Sequence, residues 1–291
     1  MKKLLALIII VSFTTCRNAP KKVAEVGGTD IENTAPKVKL YTLDGGKIIV
    51  NSLGIFAEDD TYKGQSKVFA NAFYVIQHPK GNLMWDAGLP ESLVAMDEPF
   101  TSPDGAFTVS RKDSLHHQLE KIGMGIQDIK YISLSHTHFD HLGHVSLLKD
   151  ATWLVQEKEY NWVLSDEVKE GNPDSYNAVK DLDKIELING DHDVFGDGTV
   201  IMKFMPGHTP GHQVLFLDLK DHGPLLLSGD LYHFSENREF QRIPIFNYDL
   251  AQTRESMNQF EAFAEERGAK VYLQHQKEDF LSMPKAPEYL K

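Results

Sequence analysis

Cysteine is almost missing from this chain. Its 291 residues include one, Cys16, so an intramolecular disulfide is excluded. Positive charge is also scarce: 30 Lys and Arg stand against 42 Asp and Glu, a formal net charge of -12. Proteins hold phosphate backbones through Lys and Arg, so this balance argues against nucleic acid as substrate or partner. Long hydrophobic runs are absent too. The apolar stretch Leu4 to Phe13 is far short of the roughly 20 residues a spanning helix needs. Neither an internal repeat nor a low-complexity tract is visible. What remains is ordinary for a globular protein, 41% hydrophobic and 25% charged residues, in a length that allows one large domain or two small ones.

The lone cysteine has an explanation in its position. Residues 1–16 read MKKLLALIIIVSFTTC, with Lys2 and Lys3 ahead of the apolar run and small polar residues after it. This is the layout of a secretory signal peptide. A cysteine directly behind such a run resembles a bacterial lipoprotein signal, although Phe13-Thr14-Thr15 is looser than the usual small-residue box. The alternative is an ordinary cleaved signal with an incidental Cys16. Either way the chain is expected to be exported, as a periplasmic protein or one anchored to the outer membrane through a lipid on Cys16. Residues 17–35 are polar, contain glycine and show no apolar period, which predicts a flexible tether. The folded catalytic part is expected over 36–291.

Within that part, strands are predicted at Val38–Tyr41 and Lys47–Val50, as a hairpin around Asp44-Gly45-Gly46. Others are predicted at Lys67–Gln77, Asn82–Asp86, Ile129–Ser135, Thr152–Gln156, Val194–Pro206, Gln213–Leu219, Pro224–Ser228 and Lys270–Gln274. Helices are expected at Ser110–Ile122, Glu157–Leu164 and Asp249–Arg267. The last can be capped by Asp249 and ended by Gly268, with Met257, Phe260 and Phe263 on one face. Strands, helix, strand and helix, then strands, helix and strand suggest sheets covered by helices in layers, an α/β fold.

The chemistry concentrates in Ser135-His136-Thr137-His138-Phe139-Asp140-His141-Leu142-Gly143, directly behind the apolar strand. Four potential ligands fall within six residues. Imidazole and carboxylate are what borderline divalent metals such as zinc prefer. Without a cation, so dense a cluster would be costly to desolvate. Three further strand ends carry candidates: Pro206-Gly207-His208-Thr209-Pro210-Gly211-His212, Ser228-Gly229-Asp230 and Gln274-His275. Taken alone, His208 or His275 would read as an ordinary surface or hydrogen-bonded histidine. In series with the first motif they read as ligands.

HTHFDHLG, then PGHTPGH, then SGD, then a late strand-end histidine resembles the metallo-β-lactamase superfamily, over roughly residues 36–280. The resemblance implies an αβ/βα four-layer sandwich with two divalent metal ions, zinc by ligand type, at one edge. By position, His136, His138 and His208 would hold one ion. Asp140, His141 and His275 would hold the other, and Asp230 would bridge them. True β-lactamases of this fold generally lack the bridging carboxylate. Glyoxalase II usually adds a C-terminal helical domain, for which nothing after His275 leaves room. The acidic balance disfavours the nucleases of the fold.

HxHFDHxG is most similar to the N-acyl-homoserine lactonases, and the resemblance implies hydrolytic opening of a lactone ring, which quenches quorum signalling. A homodimer is implied by the resemblance alone. Asp140 would pass a proton to the departing ring oxygen. The lactonases commonly place a tyrosine three residues after the bridging Asp. Here that position is His233, with Tyr232 one residue earlier, and either could steady the oxyanion. The departure leaves open another esterase, a thioesterase or an arylsulfatase, and also a non-catalytic metal-binding relative. For substrate contacts, Phe56, Tyr62, Met96, Phe100, Phe107, Phe234, Phe240 and Ile245 are candidates for an apolar rim. Asp86, His144 and His212 are candidates for orienting ligands from behind.

Overall fold

The computed structural model describes residues 37–291. The signal peptide expected at 1–16, with Cys16, and the tether expected at 17–35 lie outside the described residues.

Two sheets carry the fold. The first has eight strands in the order Phe100–Thr101, Phe107–Ser110, Lys39–Val50, Lys67–His78, Gly81–Trp85, Ile129–Ser133, Thr152–Gln156 and Ile185–Ile188. It is antiparallel up to Gly81–Trp85 and parallel from there on. The second has five strands, ordered Lys270–Tyr272, Gly223–Leu227, Gln213–Leu219, Val200–Phe204 and His192–Asp193. Only the pairing of Gly223–Leu227 with Lys270–Tyr272 is parallel in it.

Successive strand residues face opposite sides, so each strand fills two layers. Leu225 and Leu227 point between the sheets, where they meet Leu40, Tyr74, Ile76, Leu83 and Trp85 of the first sheet. Leu226 points outward with Val214 and Phe216 onto Met257, Phe260 and Phe263 of the helix Leu250–Arg267. On the far face of the first sheet, Phe73, Val75, Met84 and Ile132 pack on Leu115, Leu119 and Val163 from the helices Leu115–Lys121 and Glu157–Val163. The result is helix, sheet, sheet and helix, the four-layer sandwich expected above. Asp249 caps the long helix by accepting the Gln252 N–H at 2.9 Å, and Gly268 ends it at φ 57°.

Three expectations need correction. Lys39–Val50 is one strand rather than a hairpin, and Asp44-Gly45-Gly46 forms a bulge inside it, with Gly46 at φ 118°. The same glycine freedom serves a hairpin or a bulge, and pairing with Lys67–His78 on both sides of the bulge selects the latter. The helix predicted from Ser110 begins only at Leu115, because Phe107–Ser110 pairs with the bulged strand and Ser114 provides the cap. The strand predicted over Val194–Pro206 is broken. The Asp193 carboxylate accepts the N–H groups of Gly196 and Gly198, folding a turn between His192–Asp193 and Val200–Phe204.

Candidate metal centre

Strands of both sheets end at the same edge of the sandwich. Ile129–Ser133 of the first sheet delivers the loop holding His136, His138, Asp140 and His141. Val200–Phe204, Gly223–Leu227 and Lys270–Tyr272 of the second deliver His208, Asp230 and His275. All seven side chains are therefore placed by rigid strand ends on facing sheets.

They form two groups. In the first, His136 Nε2 and His208 Nε2 lie 2.9 and 3.0 Å from His138 Nδ1 and 3.2 Å from each other, with Asp230 Oδ2 3.6 Å from both. In the second, His141 Nε2 and His275 Nε2 lie 3.7 and 3.4 Å from the Asp140 carboxylate. Asp230 Oδ1 is 3.3 Å from His141 Nε2 and 3.0 Å from His275 Nε2. One carboxylate thus faces both groups, an oxygen to each.

The spacing fits metal ions. Nitrogens at roughly 2.0–2.1 Å from a shared tetrahedral zinc stand about 3.3 Å apart. His141 Nε2 and Asp230 Oδ1 are buried with no hydrogen-bond partner among the described residues. A cation between them would satisfy both. Burial holds the imidazoles of His136 and His208 well below their ordinary pKa, and brings that of His138 down to about 4. These rings are neutral, the form that ligates a metal. In the second group burial acts the same way, but Asp230, Asp86 and Asp140 outweigh it and raise His141 well above its ordinary value. His275 is raised as well, chiefly through Asp230. Burial alone would raise the Asp230 carboxyl; His275, His141 and His233 draw it well below the usual range instead.

Several of these side chains are oriented from behind. Asp86, itself in the left-handed region at φ 61°, accepts the Ser135 N–H at 2.6 Å and the Gln274 amide at 2.8 Å, and stands 3.2 Å from His141 Nδ1. The His208 Nδ1–H donates to Asn247 Oδ1 at 2.8 Å, and the His275 Nδ1–H donates to the Ala70 carbonyl at 2.8 Å. His212 donates through Nδ1 to the Met205 carbonyl and accepts the Asp230 N–H at Nε2, 3.0 Å away, so it fixes the backbone of the shared carboxylate. His144 is not directed at the centre. It bonds Glu91 at 2.5 Å and packs against Phe73. Asn71, which no sequence signal marked, donates to the Asp140 carbonyl at 2.9 Å.

A cavity of about 250 Å³ opens on the two groups, lined by Phe56, Phe69, Phe107, Phe139, His233 and Phe246 beside the ligands. Phe107 and Phe139 also line an adjoining groove of about 790 Å³ that runs past Met96 and Phe100. His233 faces the centre, with Nε2 3.1 Å from Asp230 Oδ2 and its ring stacked on His275. Tyr232 does not reach it, which corrects the alternative placed there. The backbone at Tyr232 is extended, at φ -139° and ψ 129°, so its side chain and that of His233 leave on opposite sides. Tyr232 is fully buried against Phe260 under the long helix. Of the other rim candidates, Tyr62 and Phe234 are core residues, while Phe240 and Ile245 are exposed and line neither space. Phe69 and Phe246 were not anticipated.

A family model described as Metallo-beta-lactamase superfamily matches residues 67–275. The chain is 32% identical over 265 residues to the N-acyl homoserine lactonase AttM of Azorhizobium caulinodans, covering 87% of this chain and 98% of that one. It is 28% identical over 223 residues to the N-acyl homoserine lactonase AiiA of Bacillus thuringiensis subsp. kurstaki, covering 75% and 85%. Among solved structures, an N-acyl homoserine lactone hydrolase with the product N-hexanoyl-L-homoserine bound at its catalytic metal center superposes with TM-score 0.74 at 26% identity, over 86% of this chain and 98% of that one. AidC, a dizinc quorum-quenching lactonase, shares the fold with TM-score 0.61 at 19% identity, over 83% and 88%.

Proposed function

The chain belongs to the metallo-β-lactamase superfamily, and from that membership we propose that it is a two-metal hydrolase opening the lactone ring of N-acyl homoserine lactones. The observation that carries the reading is Asp230, whose two oxygens face two separate ligand groups beside an aromatic-lined cavity. The 32% identity to a lactonase across 98% of that enzyme's length supports the choice of substrate.

His136, His138 and His208 would hold one zinc ion and Asp140, His141 and His275 the other, with one oxygen of Asp230 facing each group. When bound, the pair supplies Lewis acidity and lowers the pKa of water toward about 7. The residues do the rest. Phe56, Phe107, Phe139 and Phe246 seat the ring and the start of the acyl chain and exclude bulk water. Asp140, held from its own carbonyl by Asn71, sits at the cavity wall, takes up the proton released by the attacking water and passes it to the ring oxygen as it leaves. His233, with Nε2 directed into the centre, donates a hydrogen bond to the oxygen that gains charge. The larger groove past Met96 and Phe100 takes the remainder of the acyl chain.

The test is a panel of purified protein against acyl-homoserine lactones, nitrophenyl esters, a thioester and nitrocefin, with metal analysis on the same sample. Lactones are expected to be the preferred substrates, with two zinc ions per chain. Chelation should abolish turnover and lower the melting temperature by on the order of 10 °C, because an ion held far above its Kd stabilises by about 4 kcal/mol. Preferred ester or thioester cleavage would reassign the substrate within the fold. Full turnover in metal-free protein would end the two-metal reading.

The N-terminal layout supports export with a lipid on Cys16. Detergent-phase partitioning that Cys16→Ser removes is the expected outcome. A homodimer rests on the likeness to the lactonases and is read by light scattering.

A further inference from the structure

Glu159 is 2% exposed, on a helix that carries none of the ligands. An isolated buried carboxylate is costly, so its partners matter. Oε1 accepts both the N–H and the hydroxyl of Thr137, at 2.8 and 2.7 Å. Oε2 accepts the N–H of Gly211 at 2.9 Å. Thr137 lies between His136 and His138. Gly211 lies in the loop that presents His208 and immediately precedes His212, which holds the backbone of Asp230. One side chain therefore ties a loop of the first sheet to a loop of the second. The approach is close: a Cβ on Gly211 would fall 2.4 Å from Glu159 Cβ and 2.5 Å from its backbone nitrogen. Only glycine lets the helix sit this near.

We propose that Glu159 is a positioning residue that sets the spacing of His136 and His138 against His208, and so controls the affinity of that metal site rather than of its neighbour. The inference rests on the two-metal reading above. No partner of Glu159 belongs to the loop of His275, and Asp86 and Asn71, which brace His141 and Asp140, are separate from it. Glu159→Gln keeps the size of the side chain but replaces an acceptor with an NH2 group. That group must then face either the Thr137 or the Gly211 N–H, donor against donor.

The experiment is competition of metal-free protein with a chromophoric chelator for zinc, resolving two dissociation constants, with cobalt spectra as a second readout. In Glu159→Gln one constant should rise about 10- to 100-fold, the range for losing a group that orients a ligand. The other should stay within about twofold. The loss should appear in a His275→Asn background and vanish in a His208→Asn background. If Glu159→Gln does not fold, Thr137→Val, which removes only the hydroxyl bond, should weaken the same site by a smaller factor. Equal weakening of both sites, or of neither, overturns the inference. If the parent protein itself does not bind two ions, it is the two-metal reading that fails.

Discussion

The two halves of the centre are built from different materials. Apart from the shared Asp230, the His136, His138 and His208 half is all nitrogen, and its rings are neutral through burial. Its braces act on the backbone, through Glu159, or through a neutral amide, Asn247. The Asp140, His141 and His275 half is rich in carboxylate. It has Asp140 as a member, Asp86 behind His141, and histidines whose pKa is raised. The first half offers lone pairs at fixed distances; the second offers negative charge. A cation satisfies both, but geometry limits affinity in the first and electrostatics in the second. The carboxylate-rich half is also the one to which the proposed proton transfer is assigned.

Asp140→Asn breaks the comparison hardest. Asparagine can still reach an ion through its carbonyl oxygen, and the Asn71 bond to the main-chain carbonyl is untouched. The fold and the first site should persist. Turnover should fall by about 10²- to 10⁴-fold, the usual yield of a placed acid or base. Rate constants measured beside zinc content check it: near-normal turnover at full loading would remove Asp140 from proton transfer.

Asp86→Asn comes next, and it mirrors the change at Glu159 on the opposite half. The Asp86 carboxylate has no donor hydrogens and serves Ser135, Gln274 and His141 at once. An amide in its place must turn an NH2 toward one of these donors. Zinc affinity should fall about 10- to 100-fold at the Asp140 half, leaving the other near its parent value. Together the Asp86 and Glu159 variants form a crossed pair. If both weaken the same site, the halves are not independently braced.

How much of this was readable in the residues follows from the same contrast. The seven side chains that converge were legible because each stands where an apolar strand gives way to a loop, and four fall in one short motif. The layers were legible too, since the apolar run Leu225 to Leu227 reads as a buried strand and Met257, Phe260 and Phe263 share one face of a helix. Glu159, Asn71 and Asn247 were not. A buried glutamate in a short helix looks like any solvated one until the fold brings Thr137 and Gly211 to it, and only tertiary distance separates the two cases. The choice between Tyr232 and His233 turned on a backbone angle after the Gly229–Leu231 turn, which no local pattern announces. Asp44-Gly45-Gly46 misled for a related reason: one glycine conformation serves two structures.

Phe139 tests the comparison most gently, because it stands at the seam. His138 of one half precedes it and Asp140 of the other follows, yet its ring leaves the ligands and lines both the cavity and the groove. It is 36% exposed and packs against Phe107, with ring centroids 6.1 Å apart. Phe139→Ala should leave both zinc constants and the melting temperature near their parent values, because little of the core is touched. The lost contact falls on substrate. Removing apolar surface from a pocket costs about 1–3 kcal/mol of discrimination per methylene-sized contact at most, and a half-exposed ring supplies less. KM for a long-chain lactone should therefore rise several-fold, with kcat held and a short-chain lactone less affected. A matched fall in kcat for both chain lengths would mean that the ring positions the neighbouring ligands after all, and that the two halves are coupled through the residue between them.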